Sequence, residues 1–170
     1  MSENPVATPR EKIRLGASYW RLWSASVISN LGDGVAQIAY PWLASAVTRN
    51  GVLIALIAVA QRIPWLVFTL PAGVITDRVD RRKIMVGIDT IRTVVTLGVA
   101  FVVLVEEGAL PAPDQIEAGL EGATEPVMYI VLLLASLMFG FAEVLRDNAA
   151  QTILPAIVEP DGLEKANAQM

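Results

Sequence analysis

Neither cysteine nor histidine occurs anywhere in the 170 residues. Without cysteine there is no disulfide, thiol nucleophile or thiolate metal site, and the sequence carries no sign of redox compartment. Without histidine the commonest general base and metal ligand is missing. A phosphate-cradling glycine loop and a basic patch interleaved with aromatics are also lacking, which argues against a nucleotide-using enzyme and against nucleic-acid binding. No metal site and no cofactor is expected. Charged residues are held to 18%, while apolar residues make up 54% and the mean hydropathy is +0.53. That is more apolar surface than a soluble domain of this length needs, so a membrane protein is the leading class.

What is present is a set of long apolar runs. Four helices are expected, at about 20–47, 52–75, 84–105 and 127–151. Each is long enough for a hydrocarbon core that takes about 20 residues to cross. The runs are continuous rather than alternating with period two, which excludes barrel strands, and a backbone inside lipid must satisfy its own hydrogen bonds. The expected fold is an all-α membrane protein with four transmembrane helices.

The formal net charge of -4 conceals an uneven distribution. Arg10, Lys12, Arg14 and Arg21 precede the first span, and Arg78, Arg81, Arg82 and Lys83 fill the second connector. The long third connector, 106–126, carries Glu106, Glu107, Asp114, Glu117, Glu121 and Glu125 and no base. The positive-inside bias places residues 1–18 and the second connector in the cytoplasm and makes 106–126 an acidic external loop. The first segment lacks the short apolar core of a secretory signal, so the first span is expected to be retained. Tyr19, Trp20 and Trp23 at one end of the first helix, with Tyr40 and Trp42 at the other, are expected as interfacial anchors. The protein is therefore expected to be a multi-pass cell-membrane protein, in contact with the lipid bilayer and with its N-terminus cytoplasmic.

Charges inside spans cost about 2.5 to 3.5 kcal/mol each at mid-helix, which makes them functional candidates. Ser26, Asn30, Asp33, Gln37 and Tyr40 recur at helical spacing and share a face. Asp33 and Arg62 lie near the middle of their spans and are expected to be able to pair, or to contact substrate or a proton. Nearer the cytoplasm, Asp89 and Arg92 stand one turn apart, and Glu143, Arg146 and Asp147 share a face of the fourth helix. These five form an expected intramembrane charge network, read either as packing and gate contacts or as a proton relay. Pro64 and Pro71 are expected to kink the second helix. Gly73, Gly87, Gly98 and Gly140 are expected to permit close helix approach. Beyond the fourth span, Asp161 and Glu164 have the spacing of a capping box, so 158–170 reads as the start of a truncated next helix.

Taken in order, these residues resemble the major facilitator superfamily. Its signature between the second and third helices is a Gly, three residues, Asp, a base, then Gly with further bases. Gly73, Asp77, Arg78, Arg81 and Arg82 match it, and Asp80 stands where the broad pattern has Gly. The run Asp77-Arg78-Val79-Asp80-Arg81-Arg82 is similar to a branch of enterobactin exporters and macrolide efflux proteins. So are Asn30-Leu31-Gly32-Asp33-Gly34, Tyr40-Pro41-Trp42-Leu43 and the Asp89 and Arg92 pair. The resemblance implies a partial N-terminal bundle of a twelve-helix transporter, with Asp77 and Arg81 in a cytoplasmic gate latch. It also implies a small-molecule substrate near the midplane, and as partners the further C-terminal helices of the same transporter. Within that frame Asn30, Asp33, Gln37 and Arg62 are the expected substrate or proton-coupling residues, Asp33 foremost. Two function classes stay open. One is the N-terminal part of a secondary active, proton-coupled efflux carrier of small amphipathic molecules such as drugs or siderophores. The other is a small non-transporting membrane protein acting as a structural or interaction module.

Overall fold

The computed structural model describes residues 15–105 and 126–169. The N-terminal segment 1–14 and the acidic connector 106–125 lie outside the described residues, so the expectations placed on them stop at the sequence. Four long helices make up the body: α1 (Ala17–Val47), α2 (Gly51–Arg78), α3 (Arg81–Val105) and α4 (Pro126–Ile157). A 3-10 turn at Pro160–Gly162 leads into a short helix, α5 (Leu163–Ala168). No strand occurs among the described residues.

Among the described residues α2, α3 and α4 are long and apolar enough to cross a membrane. Even the shortest, α3 with 25 residues, reaches about 37 Å, against a hydrocarbon core of about 30 Å. The helix α1 is longer still, at 31 residues, but Ser26, Asn30, Asp33 and Gln37 dilute its apolar run. It packs in the same bundle, with Asp33 turned inward. Large apolar side chains face outward on every long helix, including Leu31, Ile38, Leu66, Leu70, Phe101 and Ile130. A belt of this kind suits hydrocarbon and not water. The protein is an all-α, multi-pass membrane protein.

The central helix is α4, which packs against α2, α3 and α1 in turn. Its contact with α2 is the most extensive in the bundle, and Gly140 lets the two backbones approach closely. A Cβ at Gly140 would collide with the Gln61 carbonyl and lie 2.8 Å from Cγ of Pro64. The other three glycines expected at close approaches, Gly73, Gly87 and Gly98, have open space where a Cβ would sit. By contrast, α3 buries only Met85, Arg92 and Val99, a single stripe seven residues apart.

The second connector is shorter than expected. Both helices run into it, and only Val79 and Asp80 separate α2 from α3. The Asp80 carboxylate accepts from the Lys83 backbone N–H at 3.1 Å. An N-cap explains an aspartate where the broad pattern has glycine. The expected capping box at Asp161 and Glu164 is not formed, because the chain enters α5 through the 3-10 turn and neither start has a side-chain cap. Two of the five expected anchors point inward instead. Tyr19 is buried and donates to the Ala166 carbonyl at 3.2 Å, and Tyr40 packs edge-on against Phe139. Trp23 donates to the Gln169 carbonyl at 2.8 Å, so the aromatic end of α1 holds the α5 segment under the bundle. Trp20 and Trp42 remain exposed.

Candidate functional site

The polar face of α1 divides once it meets its neighbours. Ser26, Asp33 and Tyr40, seven residues apart, are buried; Gln37 is half-buried, and Asn30 at the edge of the stripe is exposed. A spacing of seven is close to two helical turns, so these three side chains stack along the line where α1 meets the bundle.

Asp33 and Arg62 do not pair. Asp33 forms a direct ion pair with Arg92 of α3, and the two side chains are 11% and 8% exposed. Arg62 is exposed and donates through Nη2 to Oε1 of Gln37 at 2.7 Å. The reason lies in helix rotation. The buried face of α2 carries Ile57, Ala60, Gln61 and Pro64, leaving Arg62 turned about 100° outward, whereas the narrow buried stripe of α3 places Arg92 inside.

From this pair a line of alternating charges crosses three helices. Arg92 Nη1 donates to Ser29 Oγ at 3.0 Å and lies 3.8 Å from Asp89 Oδ1; its guanidinium sits 5.3 Å from the centre of the Phe139 ring. Ser29 donates in turn to Asp89 at 3.3 Å. Arg146 of α4, 1% exposed, donates through Nε to Asp89 Oδ1 at 3.0 Å and through Nη2 to the Ala25 carbonyl at 3.1 Å. Each buried cation thus has a carboxylate and at least one neutral acceptor, the arrangement that offsets desolvation. Glu143 and Asp147 make no direct bond in this line, although both lie within electrostatic range of Arg92. Both are half-buried on α4, and neither has an ion-pair partner among the described residues.

Two cavities adjoin the network. A cleft of about 1000 Å³ opens between α1 and α3, walled by apolar groups such as Leu31, Val35 and Leu97, with Ser29, Asp89 and Arg92 among its few polar side chains. On the other side of Asp33, a pocket of about 10 Å³ is lined by Asp33, Gln37, Gln61 and Glu143 with Phe139 and Gly140. That is the room one water takes up. Gln61 reaches it because Gly140 lets α2 approach, and its Nε2 donates to the Ala36 carbonyl at 3.4 Å. Sequence reasoning passed over Ser29 and Gln61. A glutamine beside Arg62 in an apolar run was a usable signal; a serine in a helix carries none.

At the α2–α3 connection Asp77 is 71% exposed and its carboxylate lies 3.9 Å from Arg81. Arg78 and Arg82 are exposed beside it. An ion pair this open is worth at most about 1 kcal/mol, so it leaves Asp77 available to a different partner. Among the described residues no group of acidic side chains is disposed to hold a metal ion.

The family profile described as transmembrane secretion effector matches residues 14–168 of this chain. Macrolide efflux protein A of Streptococcus pyogenes is 27% identical over 73 residues, and the same protein of the serotype M6 strain aligns equally. Those alignments take in 43% of this chain and 18% of the relatives' length. No solved structure matches the chain.

Proposed function

Because this chain belongs to the transmembrane secretion effector family of the major facilitator superfamily, we propose that it forms the N-terminal part of a proton-coupled exporter of small amphipathic molecules. The observation that carries the reading is the alternating line of Asp33, Arg92, Asp89 and Arg146 inside an apolar bundle. Four charges placed within membrane spans are costly, and such groups persist where ions or substrates pass. The line joins α1, α3 and α4 and so can register relative movement of those helices. In this reading Asn30, Gln37 and Arg62 contact substrate, and Asp33 lies where substrate and proton sites meet. Gly73, Asp77, Arg78, Arg81 and Arg82 form a latch on the cytoplasmic side, and Asp77 exchanges Arg81 for a partner in the second half of the carrier.

The test starts with the size of the native product in host membranes, probed with an antibody against residues 1–14. A band well above 18.3 kDa is expected. Erythromycin efflux is then followed in vesicles of those membranes with an imposed pH gradient. Gradient-dependent efflux supports the reading. A native band at 18.3 kDa, or erythromycin movement indifferent to the gradient, counts against it and favours the structural-module alternative.

A further inference from the structure

Within the proton-coupled reading, the pattern of ion pairs separates the acids of the bundle into two kinds. Asp33 is taken up by Arg92, and Asp89 by Arg146 with help from Ser29. Arg62 is exposed and donates to Gln37. Among the described residues Glu143 and Asp147 are left without an ion pair, one turn apart on the same face of α4. Like charges at that spacing repel one another. Half-buried carboxylates that lack a direct ion pair are stabilised in an apolar bundle by binding a positive species.

Position distinguishes the two. Glu143 lines the water-sized pocket that it shares with Asp33, Gln37 and Gln61, whereas Asp147 does not reach it. Gln37 of α1 and Gln61 of α2 supply neutral amide groups that can hydrogen-bond a carboxyl in either protonation state. Asp33 on α1 lines the same pocket as Glu143, and Arg92 on α3 and Asp147 on α4 lie within electrostatic range of it. Arg92 already has Asp33 as its direct partner, and Arg146, one turn further along α4, is bonded to Asp89.

We propose that Glu143 is the carboxylate that takes up and releases the transported proton, and that Asp33 acts as the fixed counter-charge of Arg92. Proton uptake at Glu143 forms an O–H bond on its carboxylate and removes one negative charge from the α1–α2–α4 pocket. Release on the other side restores that charge. Asp33 keeps its charge throughout, because losing it would strand Arg92.

The experiment is infrared difference spectroscopy of the full-length native product in liposomes, between acidic and alkaline buffer, reading the carbonyl stretch of protonated carboxyls. A titrating band is expected in the native protein. It should be lost in Glu143→Gln and retained, shifted, in Glu143→Asp, which also reports that the site still folds. The band should survive in the double variant Asp33→Asn/Arg92→Gln, which removes the fixed pair as a unit. A band unchanged by Glu143→Gln, or one that disappears with the Asp33 and Arg92 pair, overturns the assignment. These spectra need no substrate, so their outcome stands apart from whether erythromycin is exported.

Discussion

Removing the Asp33 carboxylate while keeping Arg92 should destabilise the bundle strongly, and removing both together should not. In Asp33→Asn the Arg92 side chain, 8% exposed, loses its direct ionic partner. Its remaining contacts are Ser29 at 3.0 Å, the Phe139 ring at 5.3 Å and Asp89 at 3.8 Å, and Asp89 already serves Arg146 at 3.0 Å. Breaking one side of a buried pair costs about 3 to 5 kcal/mol. A lone cation at mid-helix costs about 2.5 to 3.5 kcal/mol on insertion scales. The residual attraction of Asp89 puts the expectation at the lower end, about 3 kcal/mol, or roughly a hundredfold in the folded ratio at about 1.4 kcal/mol per tenfold. The assay is a double-mutant cycle on the full-length native product in detergent, using Asp33→Asn, Arg92→Gln and the pair together. Reversible unfolding in rising sodium dodecyl sulfate supplies each free energy. The double variant should recover most of the loss, giving a coupling of about 2 kcal/mol or more. Additive losses, with a coupling below about 0.5 kcal/mol, would refute the pairing of α1 with α3 through these residues.

Other substitutions test separate parts of the structure. Gly140→Ala should cost about 1 to 3 kcal/mol by forcing α4 away from the Gln61 carbonyl and Pro64, whereas Gly98→Ala, with open space around it, should be nearly neutral in the same unfolding titration. Asp80→Ala should lose about 1 kcal/mol through the missing cap on Lys83. Asp80→Asn should keep most of it, and equal losses in the two variants would remove the cap from the account. Asp77→Asn should leave membrane insertion and the unfolding midpoint unchanged, since the carboxylate is 71% exposed, while slowing vesicle efflux. A protein lost from the membrane would instead make Asp77 structural.

Helices and membrane class were legible along the chain because both follow from local quantities. The length of an apolar run set against the hydrocarbon thickness picks out α2, α3 and α4, and the stripe through Ser26, Asp33 and Tyr40 follows from helical period alone. The Gly73 to Arg82 motif was readable for the same reason, as it lies in one short connector. Partner choice was not readable. Asp33 and Arg62 match in depth, yet depth says nothing about which way each helix is turned. Rotation of α2 sends Arg62 outward and that of α3 sends Arg92 inward. Arg92 to Ser29 and Arg146 to Asp89 join residues 63 and 57 positions apart, on helices that meet only when packed. Which glycine matters was decided in the same way. Gly140 and Gly98 look alike in sequence, but only Gly140 lies where another backbone comes within reach. The sequence by itself determined that charges would lie inside the membrane, and tertiary packing decided which of them are neutralised, leaving Glu143 and Asp147 without an ion pair among the described residues. An ion pair needs two side chains within a few ångströms, and that distance is a property of the assembled bundle.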